Sequence, residues 1–264
     1  ISLGKTDVYQ LIDYKNNYPI TIPSIFIPTT HGTGSEVTMW GTIWNMKKKK
    51  KYSISHIDLY PNVAILDGNL TISLPLDISI ITTMDALSHS FEALWNINAN
   101  DISTTYAIEA ISLILENVEK LKKDPNNLTI KNNLLLASTK AGLAFSNTKT
   151  AAAHAISYPL TIIYGVPHGI AAYFSLHSLL EINKNSINGP LSKICKYNNI
   201  TYHQLKNIIR TIPKGIFQMK LNKWGVKQKH ISTIVNETLN SRRIENNIVT
   251  LSKKNVENIV SKAL

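Results

Sequence analysis

The sequence predicts a segment of strands and turns followed by an all-helical domain. Residues 20–75 contain short β-branched and aromatic runs separated by glycine and proline, a pattern typical of strands and turns. From residue 75 onward, apolar residues recur instead with the period of an α-helix. A chain of 264 residues suits one large or two modest domains, at roughly 150 residues per domain. We therefore expect two domains, residues 1–74 and residues 75–264.

The individual elements follow from the same patterns. Residues 24–30, SIFIPTT, predict one strand, and residues 63–68, VAILDG, predict a second, buried strand. The sequence DPNN at 124–127 predicts a turn between two helices. Long helices are expected over residues 77–95, from 101 toward 123, and from 129 to about 158, with shorter ones beyond.

The formal net charge of +11 raises the question of a nucleic-acid partner, and the lysine run at residues 47–51 is its best support. Arginine, which reads bases through paired hydrogen bonds, is present only as Arg210, Arg242 and Arg243. The chain is also rich in Lys, Asn and Ile throughout. We interpret the charge mainly as a compositional bias and expect no nucleic-acid partner.

The single cysteine, Cys195, excludes an internal disulfide and a multi-cysteine zinc site, so a reducing compartment, the cytoplasm, is expected. Polar residues interrupt the apolar stretch at residues 80–93, and no membrane span is expected. Residues 1–10 lack the basic and apolar regions of a signal peptide. The chain begins with Ile1 rather than Met, which suggests a fragment or a processed chain.

Asp85 and His89 lie four residues apart in a predicted helix. Side chains at this spacing share one helix face about 5–6 Å apart, so a carboxylate and an imidazole can converge on one cation. A simple hydrogen bond across one helical turn has the same spacing. The pair alone is compatible with either a metal site or such a bond.

His154 lies in a run of small residues, and His168 lies in a Pro-His-Gly turn. The two histidines can meet if a helix ends near Pro159 and the chain returns through Gly165 and Pro167. Three imidazoles and one carboxylate suit a divalent ion such as Zn(II) or Fe(II). The alternative is that both are ordinary histidines, one in the core and one in a turn.

Residues 27–38, IPTTHGTGSEVT, form a strand that enters a turn dense in Gly, Thr and Ser. Such a turn offers backbone N–H groups and hydroxyls with little bulk, which suits a phosphate or a nicotinamide amide. It is not the dinucleotide-binding pattern G-x-G-x-x-G.

Together these motifs resemble the iron-containing (group III, metal-dependent) alcohol dehydrogenases. Residues 28–36, 85–92 and 167–169, with His154 between the last two, match the family's motifs in order, and the tail from residue 241 is also similar. The resemblance covers essentially the whole chain. It implies that residues 1–74 are the C-terminal part of an α/β NAD(P)-binding domain and that a helical metal-binding domain follows, as in the dehydroquinate synthase-like fold.

The resemblance also implies an activity, the reversible NAD(P)-dependent reduction of a small aldehyde by an enzyme that can form a homodimer. The metal, Fe(2+) or Zn(2+), polarises the carbonyl oxygen as a Lewis acid. The implied metal ligands are Asp85, His89, His154 and His168. The implied cofactor contacts are Thr29, Thr30, Thr33, Ser35, Thr38 and Lys51.

The chain departs from the family pattern in two places. Tyr158 stands where many members have a histidine, so it is the implied catalytic residue, although a phenol with an ordinary pKa near 10 is a poorer proton relay than an imidazole. The family's Gly-Gly-Gly-Ser loop would precede residue 1. Residues 154–169 look most like the branch that reduces phosphonoacetaldehyde to 2-hydroxyethylphosphonate.

Two alternatives remain. Dehydroquinate synthases share the fold, but their metal set has glutamate where this chain has Asp85. A truncated chain that binds metal or polyanions without catalysis is the other. The expected partners are a small aldehyde or alcohol, with neither nucleic acid nor membrane.

Overall fold

The computed structural model describes residues 22–45, 47–48 and 50–264. Its strands pair in two small sheets: β1 with β4 in parallel, and β2 with β3 as an antiparallel hairpin in which Trp44 lies opposite Lys51. Lys47 and Lys48 therefore lie at the turn, and Lys50 and Lys51 begin the second strand of this hairpin. The strands are β1 (Ile25–Phe26), β2 (Trp40–Asn45), β3 (Lys50–Ser55) and β4 (Val63–Ala64).

Helices make up most of the remaining described chain, and the predicted fold class, a small α/β part followed by a helical part, is confirmed. The first helix begins at Leu76, one residue after the domain boundary expected at 75, but the division into two domains stays a prediction. The α-helices are α1 (Leu76–Leu94), α2 (Asp101–Lys123), α3 (Leu128–Thr148), α4 (Ala152–Tyr164), α5 (His168–Tyr173), α6 (Leu176–Asn183), α7 (Asn188–Tyr197), α8 (Tyr202–Thr211), α9 (Ile231–Leu239) and α10 (Lys253–Ser261).

The predicted helix from 129 to about 158 is wrong, because it divides into α3 and α4. Lys149 leaves the helical region with φ 67°. The backbone N–H of Ala151 then donates to the Glu92 carboxylate at 2.9 Å, and Asn246 donates to the Thr150 carbonyl at 2.8 Å. Both partners lie far away in the sequence, so the break between α3 and α4 could not be predicted from the local sequence.

The expectation that a helix ends near Pro159 is also wrong. Pro159 lies inside α4, where its backbone φ is compatible with a helix and its side chain is buried. The helix ends at Tyr164, five residues later, and the next residue, Gly165, adopts φ 69° with its N–H reaching the carbonyl of Thr161. Glycine is favoured there because left-handed backbone carries no side-chain penalty.

The second predicted strand is shorter than expected and is exposed rather than buried. Val63 and Ile65 are 46% and 43% exposed. The reason is that β1 and β4 form a two-stranded sheet with no third strand among the described residues. Burial of a strand on both faces needs covering layers, which the described residues do not provide for this pair.

The hydrophobic core lies between the long helices. Helix α1 packs against α2, α3 and α5, and its residues from Thr83 to Leu94 are all buried. Phe91 stacks on Trp95 at 5.6 Å, and both are fully buried. A polar side chain on α1 is therefore held by a rigid helix in a buried, desolvated position.

Within the described residues, none of the helices combines the length and the apolarity needed to cross a bilayer.

The glycine-rich turn approaches α3 very closely. Gly34 has φ 56°, and a Cβ added to it would lie 2.6 Å from the Cα of Gly142. A Cβ on Gly142 would in turn meet Val37 at 2.7 Å and the backbone of Gly34 at 2.9 Å. The two glycines let the turn lie directly on the helix.

His31, in the same turn, is fully buried, and the described residues offer no hydrogen-bond partner to either of its ring nitrogens. Burial, assisted by the charge of Lys131, lowers the pKa of His31 to about 3. The ring is therefore neutral in the folded protein throughout the neutral range.

Replacing Gly142 by alanine is expected to lower the free energy of unfolding by about 1–3 kcal/mol, the usual cost of overpacking. Urea denaturation measures this change. Gly189→Ala is the matched control, since a Cβ there meets nothing within 4 Å and should cause no overpacking. Equal effects of the two substitutions would contradict the close contact.

His31→Leu is expected to make the stability less sensitive to acid. In the unfolded chain the ring takes up a proton below about pH 6.5, whereas the buried ring does not until about pH 3. Stability is therefore lost as pH falls through this window. Between pH 7.5 and 5.5 the substitution should remove about 1.4 kcal/mol of that loss, measured by urea denaturation in EDTA. If the loss of unfolding free energy between pH 7.5 and 5.5 is the same in His31→Leu as in wild type, His31 does not stay neutral in the folded protein.

Candidate metal centre

Four side chains converge where α1, α4 and α5 meet. Asp85 and His89 occupy one buried face of α1, His154 lies in the first turn of α4, and His168 is the first residue of α5. Ligand atoms of Asp85, His89 and His154 all lie within 4.8 Å of one another. The structure therefore brings the two pairs of predicted ligands together across the intervening chain.

Asp85 is at the centre of this group. Its Oδ1 lies 3.4 Å from Nε2 of His154 and 3.9 Å from Nε2 of His168. The imidazole rings of His89 and His154 stack with centroids 4.4 Å apart, and those of His154 and His168 are 5.2 Å apart. Phe145 covers the other face of His89 at 4.3 Å. The ring positions are therefore fixed by packing as well as by charge.

Glu92, one turn beyond His89 on α1, fixes the orientation of His154. Its Oε1 accepts hydrogen bonds from the backbone N–H groups of Ala151 and His154 at 2.9 and 3.0 Å. Its Oε2 contacts Nδ1 of the His154 ring. Because Nδ1 is engaged by the carboxylate, Nε2 faces Asp85, and this is the arrangement that commonly orients a metal-binding histidine.

The donor set fits a divalent transition metal. Asp85 Oδ1, His89 Nδ1 and His154 Nε2 are buried, and the described residues offer them no hydrogen-bond partner of good geometry. Unpartnered buried polar atoms are rare because each one is costly. Donors about 2.1 Å from a tetrahedral cation lie about 3.4 Å from each other, which is the separation of His154 Nε2 from Asp85 Oδ1.

Ionisation states in the group differ because the neighbours differ. Burial lowers the pKa of both His89 and His168 to about 4, so both rings are neutral at pH 7. Burial alone would also lower the pKa of His154, but the charges of Glu92 and Asp85 raise it to about 9. Burial opposes ionisation of Asp85, yet the surrounding histidines hold the pKa of its carboxyl below the ordinary range. A cation would therefore replace the proton of His154.

A cavity of about 520 Å³ opens onto the four side chains. One face of the β2–β3 hairpin forms part of its wall, since alternate strand residues point the same way. Among the residues predicted to contact a cofactor, Thr33, Ser35, Thr38 and Lys51 line the cavity. Thr29 is exposed and Thr30 is half-buried, and neither belongs to the lining.

Tyr158 also lines the cavity. Its ring is stacked on that of His168, with centroids 6.4 Å apart and planes at 5°. Lys51 Nζ lies 3.9 Å from the centre of the Tyr158 ring, and Arg243 Cζ lies 5.0 Å from it. Burial raises the pKa of Tyr158 to about 12, so the hydroxyl keeps its proton at neutral pH.

Several residues of the cavity were not predicted from the sequence, and Trp44, Phe145 and Arg243 are three of them. Trp44 contacts the rings of Tyr158 and His168, with centroids 6.4 and 6.1 Å away. Phe145 and Arg243 reach the cavity from α3 and from the C-terminal region. No spacing rule connects them to the histidines, although Arg243 belongs to the one pair of adjacent arginines in the sequence.

Two family descriptions match the chain. "Iron-containing alcohol dehydrogenase" matches residues 3–68, and "Fe-containing alcohol dehydrogenase family, C-terminal" matches residues 79–264. The second match alone covers more than half of the chain.

Two curated relatives show the range of similar proteins. The probable alcohol dehydrogenase EutG of Escherichia coli K12 is 36% identical over 163 residues, which cover 62% of this chain and 41% of that protein. The phosphonoacetaldehyde reductase of Streptomyces viridochromogenes is 32% identical over 165 residues, which cover 62% of this chain and 42% of that protein. The matched part is therefore less than half of either relative.

Among solved structures, sulfoacetaldehyde reductase from Bifidobacterium kashiwanohense, crystallised in complex with NAD+, superposes with a TM-score of 0.85. It is 30% identical, and the match covers 92% of this chain and 65% of that chain. Taken with the family match over residues 79–264, the fold and the sequence lead to one conclusion: this chain belongs to the iron-containing alcohol dehydrogenase family.

Proposed function

We propose that this chain carries the metal centre of an NAD(P)-dependent oxidoreductase that interconverts a small aldehyde and its alcohol. The observation that carries the proposal is the convergence of Asp85, His89 and His154 within 4.8 Å, with His168 beside them, on the wall of a large cavity. A buried donor set that opens onto a ligand-sized space is typical of a catalytic rather than a structural metal site.

We assign Asp85, His89, His154 and His168 as the ligands of Fe(2+) or Zn(2+). When bound, such a cation supplies Lewis-acid polarisation of a carbonyl oxygen. The carboxylate of Asp85 supplies negative charge, and Glu92 holds the His154 ring so that Nε2 is presented. Phe145 covers one face of His89, and all four side chains line the cavity, so a ligand in the cavity can reach them.

The cofactor NAD(P) supplies or accepts the hydride. We assign its contacts to the glycine-rich turn and to Lys51, with Thr33, Ser35 and Thr38 offering hydroxyls inside the cavity and with Thr29 and Thr30 just before them. The close contact between Gly34 and Gly142 holds this turn directly against α3. In this arrangement the cofactor lies between the domain of residues 1–74 and the helical domain of residues 75–264.

Tyr158 is assigned as the residue that closes the cavity beside the reacting centre. Its pKa of about 12 makes the phenol a weaker acid than in water, so we assign it hydrogen-bond donation to a ligand oxygen rather than release of its proton. Its ring, stacked on His168, excludes water from one side of the metal centre.

Within this reaction class, we propose phosphonoacetaldehyde as the aldehyde and 2-hydroxyethylphosphonate as the alcohol. Supporting this choice are the motif spanning residues 154–169 and the similarity to a phosphonoacetaldehyde reductase. The names of the other relatives give different substrates, so the choice of phosphonoacetaldehyde depends on which side chains line the cavity of this chain.

The proposal is tested by metal content and by NADH or NADPH oxidation in the same preparations. We expect the protein, loaded with Fe(2+) under anaerobic conditions, to hold about one ion per chain and to consume reduced cofactor in proportion to aldehyde. His154→Ala and His168→Ala should lose most of the metal and most of the activity.

His203→Ala is the control, since His203 is exposed on α8. Undiminished metal in both His154→Ala and His168→Ala would overturn the ligand assignment. Cofactor that is used but regenerated without net oxidation would indicate the chemistry of a dehydroquinate synthase instead.

Glu92→Gln should weaken metal binding by about 10–100-fold, because the orienting carboxylate is lost while the ligands remain. Competition with a fluorescent chelator measures the affinity. Glu237→Gln, an exposed change on α9, is the control for the loss of one negative charge. Equal affinities for the two variants would show that Glu92 has no part in orienting His154.

A further inference from the structure

The cavity wall carries an excess of positive charge that the metal centre does not explain. Lys51, Lys149, Arg242 and Arg243 all line it, and Asp85 is its one carboxylate among the described residues. No carboxylate of the described chain lies within ion-pairing distance of any of these four cations. Lys149 and Arg242 are exposed, whereas Lys51 and Arg243 are half-buried. For these two the lack of a partner is unusual, because desolvation penalises an isolated charge.

Arg243 is the best placed of the four. It is half-buried, whereas Arg242 beside it is exposed. Its guanidinium lies over the Tyr158 ring, 5.0 Å from the centroid, and the Tyr158 ring stacks on His168. Arg243 is thus one aromatic ring away from a proposed metal ligand, and both residues line the same cavity.

Lys51 strengthens the positive field at the same place. Its Nζ also lies over the Tyr158 ring, 3.9 Å from the centroid. Burial, and next the charge of Arg243, lower the pKa of Lys51 to about 7. The two cations therefore repel each other, and an anion bound beside them would relieve that repulsion.

We propose that Arg243, beside the cofactor-contacting Lys51, forms an anion-binding subsite that holds the negatively charged end of the substrate while its aldehyde faces the metal centre. The subsite rests on the proposed function, since it assumes that an aldehyde binds in this cavity. The ligand class is a short aldehyde that carries a phosphonate, with a sulfonate as the monoanionic counterpart. Paired N–H groups and permanent charge make arginine well suited to such oxyanions.

The subsite makes Arg243 a specificity-determining residue. Its removal should affect charged substrates and leave uncharged ones almost unchanged, because the aldehyde end does not contact it. An anion contributed by the cofactor would behave differently, since a neutral aldehyde needs the same cofactor. Comparing substrates within each variant separates these sources.

The experiment compares kcat/KM for phosphonoacetaldehyde, sulfoacetaldehyde and propanal in wild type, Arg243→Met, Arg243→Lys and Arg210→Met. Arg210 is an exposed arginine outside the cavity and is the matched control. Loss of a charge-assisted hydrogen bond should lower kcat/KM of Arg243→Met for phosphonoacetaldehyde by about 30-fold, mainly through KM, and that for propanal by less than about threefold. Arg243→Lys should recover part of the loss.

A second measurement does not depend on turnover. Calorimetry with ethylphosphonate as the probe should give a Kd that is about tenfold weaker in Arg243→Met than in wild type or Arg210→Met, with ethylsulfonate bound less tightly than ethylphosphonate. If ethylphosphonate binds through Arg243 but neither aldehyde is reduced, the subsite stands and the proposed function fails.

Three results overturn the subsite. One is wild-type reduction of propanal and phosphonoacetaldehyde with equal kcat/KM and no binding of ethylphosphonate, in which case the proposed function stands alone. Another is an equal fall in kcat/KM for phosphonoacetaldehyde and propanal in Arg243→Met, together with a raised KM for NADH. This result would assign Arg243 to the cofactor. The third is an Arg243→Met protein whose Kd for ethylphosphonate is unchanged.

Discussion

The site depends on the buried carboxylate of Glu92. This one side chain accepts the backbone N–H groups of Ala151 and His154 and contacts the His154 ring. It therefore satisfies N–H groups at the start of α4, which have no partner within the helix, and also sets the rotation of a proposed ligand. A buried charge is stable only when such partners surround it. The contacts of Glu92 therefore fix the start of α4 against α1.

The same constraint explains why α3 and α4 are separate helices. The chain turns at Lys149, and the backbone between the helices is satisfied by side chains from elsewhere, including Asn96 to the Lys149 carbonyl and Asn246 to the Thr150 carbonyl. The turn brings His154 down onto α1, facing Asp85. If α3 continued without a break, His154 would lie on the extension of α3 and would not face Asp85 on α1.

Much of this arrangement was accessible from the sequence, and the remainder was not, for identifiable physical reasons. Helices α1 and α2 were predicted nearly to their ends because long apolar periods and a turn at 124–127 are local signals. The clustering of Asp85 with His89 followed from helix geometry. The break at Lys149 and the continuation through Pro159 depend on tertiary contacts. The roles of Trp44 and Arg243 in the cavity likewise depend on how separate elements pack, which no local period encodes.

The β2–β3 hairpin shows how a small sheet selects one residue from a uniform run. Side chains alternate between the two faces of a strand, and the register that pairs Trp44 with Lys51 and Thr42 with Ser53 puts all four of these residues on the cavity side. A slip of β3 by one residue would turn Lys51 and Ser53 to the opposite face, away from Trp44 and Thr42. The run contains five consecutive lysines, but the strand register places Lys51 beside Tyr158. A compositional bias toward lysine and a specific function for Lys51 are therefore compatible.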